Sequence, residues 1–336
     1  GASVAAGSHA AFLLSYGVIE GVGLGVGYIT PVSTLVSWFP DRRGLATGLA
    51  VMGFGAGALV TGPVANYLIG ATSIPETFYV LGIGYFLTMA AGASYLEKPP
   101  EGWIPTGMDS REMTTLEGKG VVVGTDLEHL TAREAIRTPQ FYLVWLVVFI
   151  NVSAGIMLLS VASNMTQAIT GATPTAAAAV VGLLGVFNGA GRIVWSSLSD
   201  YLGRTRTYAV FFLLQIAAFL ALPRLTTLAL FAGATFLIIT CYGGGFACLP
   251  AYLADLFGTE ELGAIHGRTL TAWSLAGVAG PTLVSRIVSL TGGYELAFYA
   301  VAGALFVGLV CVGILRWRID VVRRAQLDGT PHGVTH

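Results

Sequence analysis

The sequence is poor in charged residues, and its only lysines are Lys98 and Lys119. Charged residues make up 10% of the chain of 336 residues, against about 25% in a typical soluble domain. The net charge is −1, so the basic excess expected of a nucleic-acid-binding protein is absent. The three cysteines lack CxxC spacing and lie in apolar stretches, so we interpret them as small core residues. The composition therefore excludes an ordinary soluble domain.

Motifs that carry catalytic chemistry are also missing. The sequence contains no HExxH, no GxSxG and no glycine-rich loop followed by GK[ST]. Its histidines fall near the ends of apolar stretches, in a polar segment or in the tail: His9, His129, His266, His332 and His336. We therefore expect no enzymatic activity, no metal and no cofactor.

Long apolar stretches dominate what remains, with 54% hydrophobic residues and a mean hydropathy of +0.75. A helix crosses the hydrocarbon core of a bilayer with about 20 apolar residues. Nine stretches qualify: Ala11–Trp38, Leu45–Ile69, Thr77–Leu96, Phe141–Thr166, Ala176–Leu198, Tyr208–Leu222, Thr226–Leu253, Thr269–Leu290 and Tyr294–Leu315. Gly1–Gly7 resembles the last turns of a tenth. The sequence predicts an all-α membrane protein.

One long polar segment divides the chain between Leu96 and Phe141. Near its end, Thr131 and Glu134 have the spacing of a capping box, and Thr138-Pro139 predicts the start of the next helix. We interpret the segment as a connector between two bundles. The predicted units are an N-terminal bundle (1–97), a connector (98–138), a C-terminal bundle (139–316) and a tail (317–336).

Basic residues predict the orientation in the membrane. If successive loops lie on alternate sides of the membrane, one side holds only Arg224 and Arg286. The other side holds Arg42, Arg43, Lys98, Arg111, Lys119, Arg133, Arg137, Arg204, Arg206, Arg268, Arg316, Arg318, Arg323 and Arg324. Basic loops stay in the cytoplasm. We therefore expect a multi-pass protein of the plasma membrane with a cytoplasmic connector and C-terminus.

The two halves share a repeated pattern at an offset of 218 or 219 residues. Pro31, Gly44, Gly48 and Gly62-Pro63 recur as Pro250, Gly263, Gly267 and Gly280-Pro281. Parallel repeats of six-helix halves characterise one large class of secondary transporters. By this offset the first half lacks about 80 residues, so we expect an incomplete first bundle and twelve spans in the whole protein.

Arg192 is a charged residue inside the apolar stretch that begins near Ala176. It precedes Asp200 by about 12 Å of helix, which places it near the middle of the bilayer. An arginine there costs about 3 kcal/mol or more. It can pair with a helix carbonyl or snorkel to the membrane surface, or its planar guanidinium can bind an anion. We favour the anion.

Two charged loops follow apolar stretches, Trp38–Gly48 and Ser199–Arg204. In the second, we expect Asp200 to accept hydrogen bonds from amides at the start of the next helix, and Arg204 to pair with a neighbour. We expect the loops to latch the inner side of a transporter. The predicted gating residues are Asp41, Arg42, Arg43, Asp200, Gly203 and Arg204.

These loops resemble those of the major facilitator superfamily, and further motifs resemble its oxalate/formate antiporter family, whose relatives are the monocarboxylate transporters. The motifs are Asp200–Arg204, Trp38–Gly48, Gly23–Tyr28, Arg133–Tyr142, Phe187–Arg192, Cys241–Phe246 and His266-Gly-Arg268. The resemblance covers nearly the whole chain. It implies two six-helix bundles around a substrate cavity, with the substrate carboxylate on Arg192. It also implies that Tyr28, Tyr242 and Trp273 wall the cavity; the alternative for each is packing between helices or a place at the membrane interface. Asn188 either lines the same cavity or hydrogen-bonds across helices, and both possibilities stay open.

One departure from the family bears on the substrate. The family's oxalate exchanger has a lysine three residues after a tryptophan, whereas here the residue three positions after Trp273 is Ala276. A dianion would leave one carboxylate without a partner at membrane depth. We therefore expect the substrate to be a monocarboxylate such as formate, lactate or pyruvate rather than oxalate. From the composition, we expect the protein to contact a lipid bilayer and no nucleic acid.

Glu20 is a carboxylate well inside an apolar stretch. It is a candidate proton-coupling site, or else an acid that stays protonated or hydrogen-bonded beside neighbouring glycines. Anion exchange and proton symport both stay open. Two other readings are a carboxylate sensor that resembles a transporter, and an inactive fragment. We expect a monomer.

Overall fold

The protein is described here by a computed structural model that covers residues 1–100, 103, 127 and 129–327. Within these ranges all regular secondary structure is helical. The helices are α1 (Ala2–Ala5), α2 (His9–Phe12), α3 (Glu20–Trp38), α4 (Arg43–Ala71), α5 (Ile74–Ala93), α6 (Ala132–Ala135), α7 (Pro139–Thr170), α8 (Pro174–Leu202), α9 (Arg204–Ala221), α10 (Leu228–Phe257), α11 (Leu262–Thr269), α12 (Thr271–Thr291) and α13 (Glu295–Leu327). A π-helical turn, Leu13–Ile19, joins α2 to α3, and a 3₁₀ turn, Leu222–Arg224, follows α9.

Seven helical segments of the described chain are long and apolar enough to cross a membrane. They are His9–Trp38, Ile74–Ala93, Pro139–Thr170, Pro174–Leu202, Arg204–Arg224, Leu228–Phe257 and Glu295–Arg324. The two other predicted spans overlap α4 and α12, which have 29 and 21 residues. The count of nine spans stays a prediction. Much of the connector, including Arg111 and Lys119, lies outside the described residues, as does the tail after residue 327.

Local sequence sets where several helices begin. Thr138 and Thr173 cap α7 and α8, each followed by a proline at the first helical position, where the missing N–H is not needed. The capping box is confirmed: the Thr131 hydroxyl accepts from the Glu134 amide at 3.3 Å, and Glu134 Oε2 accepts from the Thr131 amide at 2.9 Å. The hydrogen bonds from Thr131 lower the pKa of Glu134.

The predicted span Thr269–Leu290 has a break at its start that the sequence did not indicate. Leu270 separates α11 from α12. Two hydroxyls beside it donate to backbone carbonyls, Thr269 to Ile265 at 3.0 Å and Thr271 to Arg268 at 2.7 Å. Hydroxyls that bond back in this way often bend helices.

The main hydrophobic core lies among the helices after the connector. Its largest buried side chains include Phe211, Phe212, Phe219 and Phe298. A second, smaller cluster joins the two parts of the chain, because Tyr28, Val32 and Val51 of α3 and α4 pack with Phe246 of α10. We call α3–α5 the early helices and α7–α13 the late helices. The contact between early and late helices positions the cavity described in the next section.

Two glycines of the repeated pattern allow α4 to approach α8 closely. A Cβ atom added at Gly44 would lie 2.2 Å from the Ser196 carbonyl oxygen, and one at Gly48 would lie 2.0 Å from the Ser196 hydroxyl. Their repeat partners Gly263 and Gly267 face Ile29 of α3, at 3.3 Å from such a Cβ. Both pairs of glycines therefore lie where early and late helices meet, with the tighter fit at α4.

Candidate substrate cavity and gate

An acid from the late helices caps the first turn of α4. The two carboxylate oxygens of Asp200 accept from the amides of Gly44 at 2.9 Å and Leu45 at 3.0 Å. The sequence-based prediction placed this cap on the next helix, and that was wrong. Because the Gly44 contact brings α8 against the start of α4, the Asp200 carboxylate meets those amides, which have no partner within their own helix.

Asp255, at the end of α10, pairs with two arginines near the contact of α8 and α4. Its Oδ1 lies 3.0 Å from Nη1 of Arg43, and its Oδ2 lies 3.0 Å from Nε of Arg204. Arg204 also pairs with Asp200 at 2.6 Å. All four side chains are at most 10% exposed. We call Arg43, Asp200, Arg204 and Asp255 the gate network, and the end of the helices where they lie the charged end.

Three of the six predicted gating residues belong to this network: Arg43, Asp200 and Arg204. Gly203 supplies the turn between α8 and α9, with φ of +84°, a conformation that favours glycine. Asp41 and Arg42 lie outside the network and pair with each other at 3.5 Å. Sequence reasoning missed Asp255; its signal was a carboxylate at the end of a very apolar stretch.

A cavity of about 280 Å³ lies between the early and late helices. It is lined by Gly21, Leu24, Gly25, Tyr28, Ile29, Arg192, Tyr242, Phe246, Gly267, Leu270, Trp273 and Ser274. Four of the five residues predicted to bind substrate are among these: Arg192, Tyr28, Tyr242 and Trp273. Their role in binding stays a prediction, but the fold brings them together around one space.

Arg192 is held in place by groups from both parts of the chain. Its Nη1 donates to the backbone carbonyl of Val51 on α4 at 2.7 Å, and its Nε donates to Oδ1 of Asn188 at 3.2 Å. The residue is 6% exposed. Arg192 therefore pairs with a helix carbonyl, which was one of the alternatives to anion binding, and it also lines the cavity. Asn188, the fifth predicted residue, supports Arg192 rather than lining the cavity.

Phe246 is an aromatic residue of the cavity that sequence reasoning did not single out. The guanidinium carbon of Arg192 lies 5.5 Å from its ring centroid, a cation–π distance. The Tyr28 and Trp273 rings lie 5.4 and 6.1 Å from the same centroid. Phe246 follows Tyr242 by four residues, so both lie on one face of α10. That spacing was the signal that could have found it.

Two residues that the sequence analysis connected with the substrate or with proton coupling do not line the cavity. Ala276, where the family's oxalate exchanger has lysine, is fully buried and does not line the cavity. Glu20 is exposed, and its neighbour Gly21 lines the cavity instead. Among the described residues, Arg192 is thus the charged side chain of the cavity wall.

The chain is similar in sequence to several known proteins. It is 27% identical over 291 residues to the oxalate:formate antiporter of Oxalobacter formigenes, covering 86% of this chain and 66% of that protein. It is 26% identical over 339 residues to apicoplast pyruvate carrier 1 of Toxoplasma gondii, covering 85% and 61%. The chain thus spans less than two thirds of the length of these relatives.

The fold has a counterpart among solved structures. The crystal structure of the fucose:proton symporter of Escherichia coli matches with a TM-score of 0.61, covering 85% of this chain and 72% of that one. At 14% identity this likeness shows the fold alone. The sequence matches the family model of the Major Facilitator Superfamily over residues 1–281 and 144–333. The chain therefore belongs to the major facilitator superfamily.

Proposed function

We propose that the protein is a secondary active transporter of a small monocarboxylate and works by alternating access. The observation that carries this proposal is Arg192, a cation held by hydrogen bonds on the wall of a mostly apolar cavity between the early and late helices. A guanidinium has five N–H donors in one plane, so it can bind a carboxylate with two of them while others hold it in place.

The charge of the cavity wall supports a monocarboxylate over a dicarboxylate. Beyond Arg192, the described wall offers apolar surface and the hydroxyls of Tyr28, Tyr242 and Ser274 but no second cation. A second carboxylate would therefore lack a charged partner there, and a buried charge without one is costly. Formate, lactate and pyruvate fit the single cation. Two relatives agree with a carboxylate in general, since one is named for oxalate and formate and the other for pyruvate.

The gate network supports an alternating-access cycle. It ties α4 to α8, α9 and α10 at the charged end, which we assign to the cytoplasm of a multi-pass plasma-membrane protein. In this conformation the charged end is closed. In the proposed cycle, two bundles related by the parallel repeat rock about the cavity, so the network must break for substrate to reach the inside.

Arg192 gives a reason why the empty carrier resists reorientation. A cation at membrane depth is unfavourable, and a bound carboxylate lowers that penalty. Anion exchange follows if only the loaded carrier reorients. Proton symport follows if an acid such as Glu20 discharges the site instead, although Glu20 lies outside the cavity wall.

Uptake by the complete protein in liposomes tests the proposal. Labelled formate, lactate, pyruvate and oxalate are offered with and without a pH gradient, and with and without unlabelled anion inside. We expect uptake of at least one monocarboxylate to exceed that of oxalate by about tenfold, because the unpaired second carboxylate weakens oxalate binding. Empty liposomes are the control. Uptake of oxalate alone, or of none of these anions, would contradict the proposed substrate class.

A further inference from the structure

His266 is a buried titratable side chain that the transport mechanism above does not use. It lies on α11, is fully buried, and neither of its ring nitrogens has a hydrogen-bond partner within the described part of the chain. The great majority of buried polar side-chain atoms do have a partner. Such an exception calls for a physical explanation.

His266 lies at a contact between early and late helices, close to the charged end. Its ring meets the ring of Tyr28 edge-on, with 5.4 Å between centroids, so it lies where α3 of the early helices contacts α11 of the late helices. The next residue, Gly267, lines the cavity. Because α11 runs from the charged end toward the cavity, His266 lies between the two.

Charged groups near α11 do not compensate a charge on the imidazole. The helices packed against α11 are α3, α6, α7, α10 and α12. Together with α11 itself and the two acids just before it, their titratable and charged side chains are Glu20, Tyr28, Arg133, Glu134, Tyr142, Cys241, Tyr242, Cys248, Tyr252, Asp255, Glu260, Glu261, Arg268 and Arg286. Tyr28 is the one whose contact with His266 is seen. Asp255, the acid of the gate network on α10, is already paired with Arg43 and Arg204.

Burial without a partner makes the charged form of His266 strongly unfavourable while the charged end is closed. When the early and late helices separate there, water reaches the ring, and a hydrated histidine titrates near pH 6.5. We propose that His266 is a proton-binding site of the open charged end, and that its protonation holds this end open. The inference rests on the proposed alternating-access function.

The direction of the effect follows from proton linkage. The closed state binds no proton at His266 and the open state does, so lower pH favours the open state. The proton must leave before the end closes, and it therefore returns to the side from which it came. His266 thus makes gating depend on pH but does not carry a proton across the membrane.

A distance measurement between spin labels at the charged end tests this inference without any substrate. Labels are attached at Tyr95→Cys, just after α5, and Tyr201→Cys on α8, both exposed. The background replaces the buried Cys241, Cys248 and Cys311 by alanine. We expect the population with the longer distance to grow as the pH falls from about 8 to about 5.5, by up to about tenfold per pH unit in the open-to-closed ratio.

Two substitutions of His266 separate titration from packing. His266→Gln keeps a polar group, and His266→Phe keeps the ring contact with Tyr28; we expect both to abolish the pH response. His129→Gln is the matched control, since His129 is exposed in the connector, and we expect it to respond like the wild type. A wild-type response in both His266 variants, or no response in the wild type, overturns the inference.

A measurement on the wild type covers the case in which neither variant folds. Exchange of the imidazole C2 hydrogen, followed by mass spectrometry against pH, reports the titration of each histidine. We expect His266 to be protected at high pH and to titrate only as the spin-label distance lengthens; titration without that change overturns the inference. Loss of carboxylate uptake with an intact pH response would remove the proposed function and leave His266 as the gating site.

Discussion

Replacing Arg192 by alanine is expected to lower monocarboxylate uptake at low substrate concentration by about 100-fold or more. Removing one partner of a buried, hydrogen-bonded charge pair costs about 2–5 kcal/mol, and each 1.4 kcal/mol is tenfold in affinity. Arg192→Lys keeps the charge but loses the planar fork that holds Val51, Asn188 and a carboxylate together. We therefore expect lysine to restore at most about a tenth of the wild-type rate.

The measurement is initial uptake by liposomes that contain equal amounts of folded protein, checked by size-exclusion chromatography and circular dichroism. Arg286→Ala is the matched control, because Arg286 is an exposed arginine on α12 that does not line the cavity. We expect it to retain wild-type uptake. If Arg192→Ala transports as well as Arg286→Ala, Arg192 is a structural residue bound to the Val51 carbonyl, and the carboxylate assignment fails.

Replacing Asp255 by asparagine is expected to shift the charged end strongly toward the open state. The substitution removes the charge that Arg43 and Arg204 share while both arginines stay buried in the closed state. Breaking a buried ion pair by removing one partner costs about 3–5 kcal/mol, which is more than 100-fold in the closed-to-open ratio. The open state avoids this penalty, because its arginines are hydrated.

The spin-label distance between positions 95 and 201 reports this shift at a fixed pH near 8, where the wild type is expected to be closed. Asp320→Asn is the control, because Asp320 is an exposed acid of α13 at the same end. Asp41→Asn tests the sequence-based gating prediction, and we expect a small effect because Asp41 lies outside the gate network. An Asp255→Asn distance equal to that of Asp320→Asn would show that the network does not hold this end closed.

The sequence predicted the features of this protein that depend on local pattern. Apolar length predicted the helices, and the Thr131–Glu134 spacing predicted a capping box that the structure confirms. The repeated Gly44 and Gly48 predicted equivalent positions in two halves, and these glycines prove to lie at the contact of early and late helices. Membership of the major facilitator superfamily is now shown, and the resemblance had indicated that Tyr28, Tyr242 and Trp273 share the cavity with Arg192.

Features that depend on which helices meet could not be predicted in the same way. Asp200 caps α4 rather than the helix that follows it, because the cap is set by the crossing of α8 and α4. Asp255 and Phe246 carried only weak signals until α10 was placed against Arg43 and Arg192. The break at Leu270 lies beside hydroxyl groups that bond back to the helix, and such bonds also occur in unbroken helices.

The most direct test of the central claim is binding of a matched pair of ligands to the purified wild-type protein and to Arg192→Gln. Lactate and its amide, lactamide, have nearly the same size and shape and differ in the negative charge. By calorimetry, the wild type is expected to bind lactate about 100-fold more tightly than lactamide, and Arg192→Gln is expected to lose that preference. Equal affinity of the wild type for both ligands would contradict a carboxylate site at Arg192.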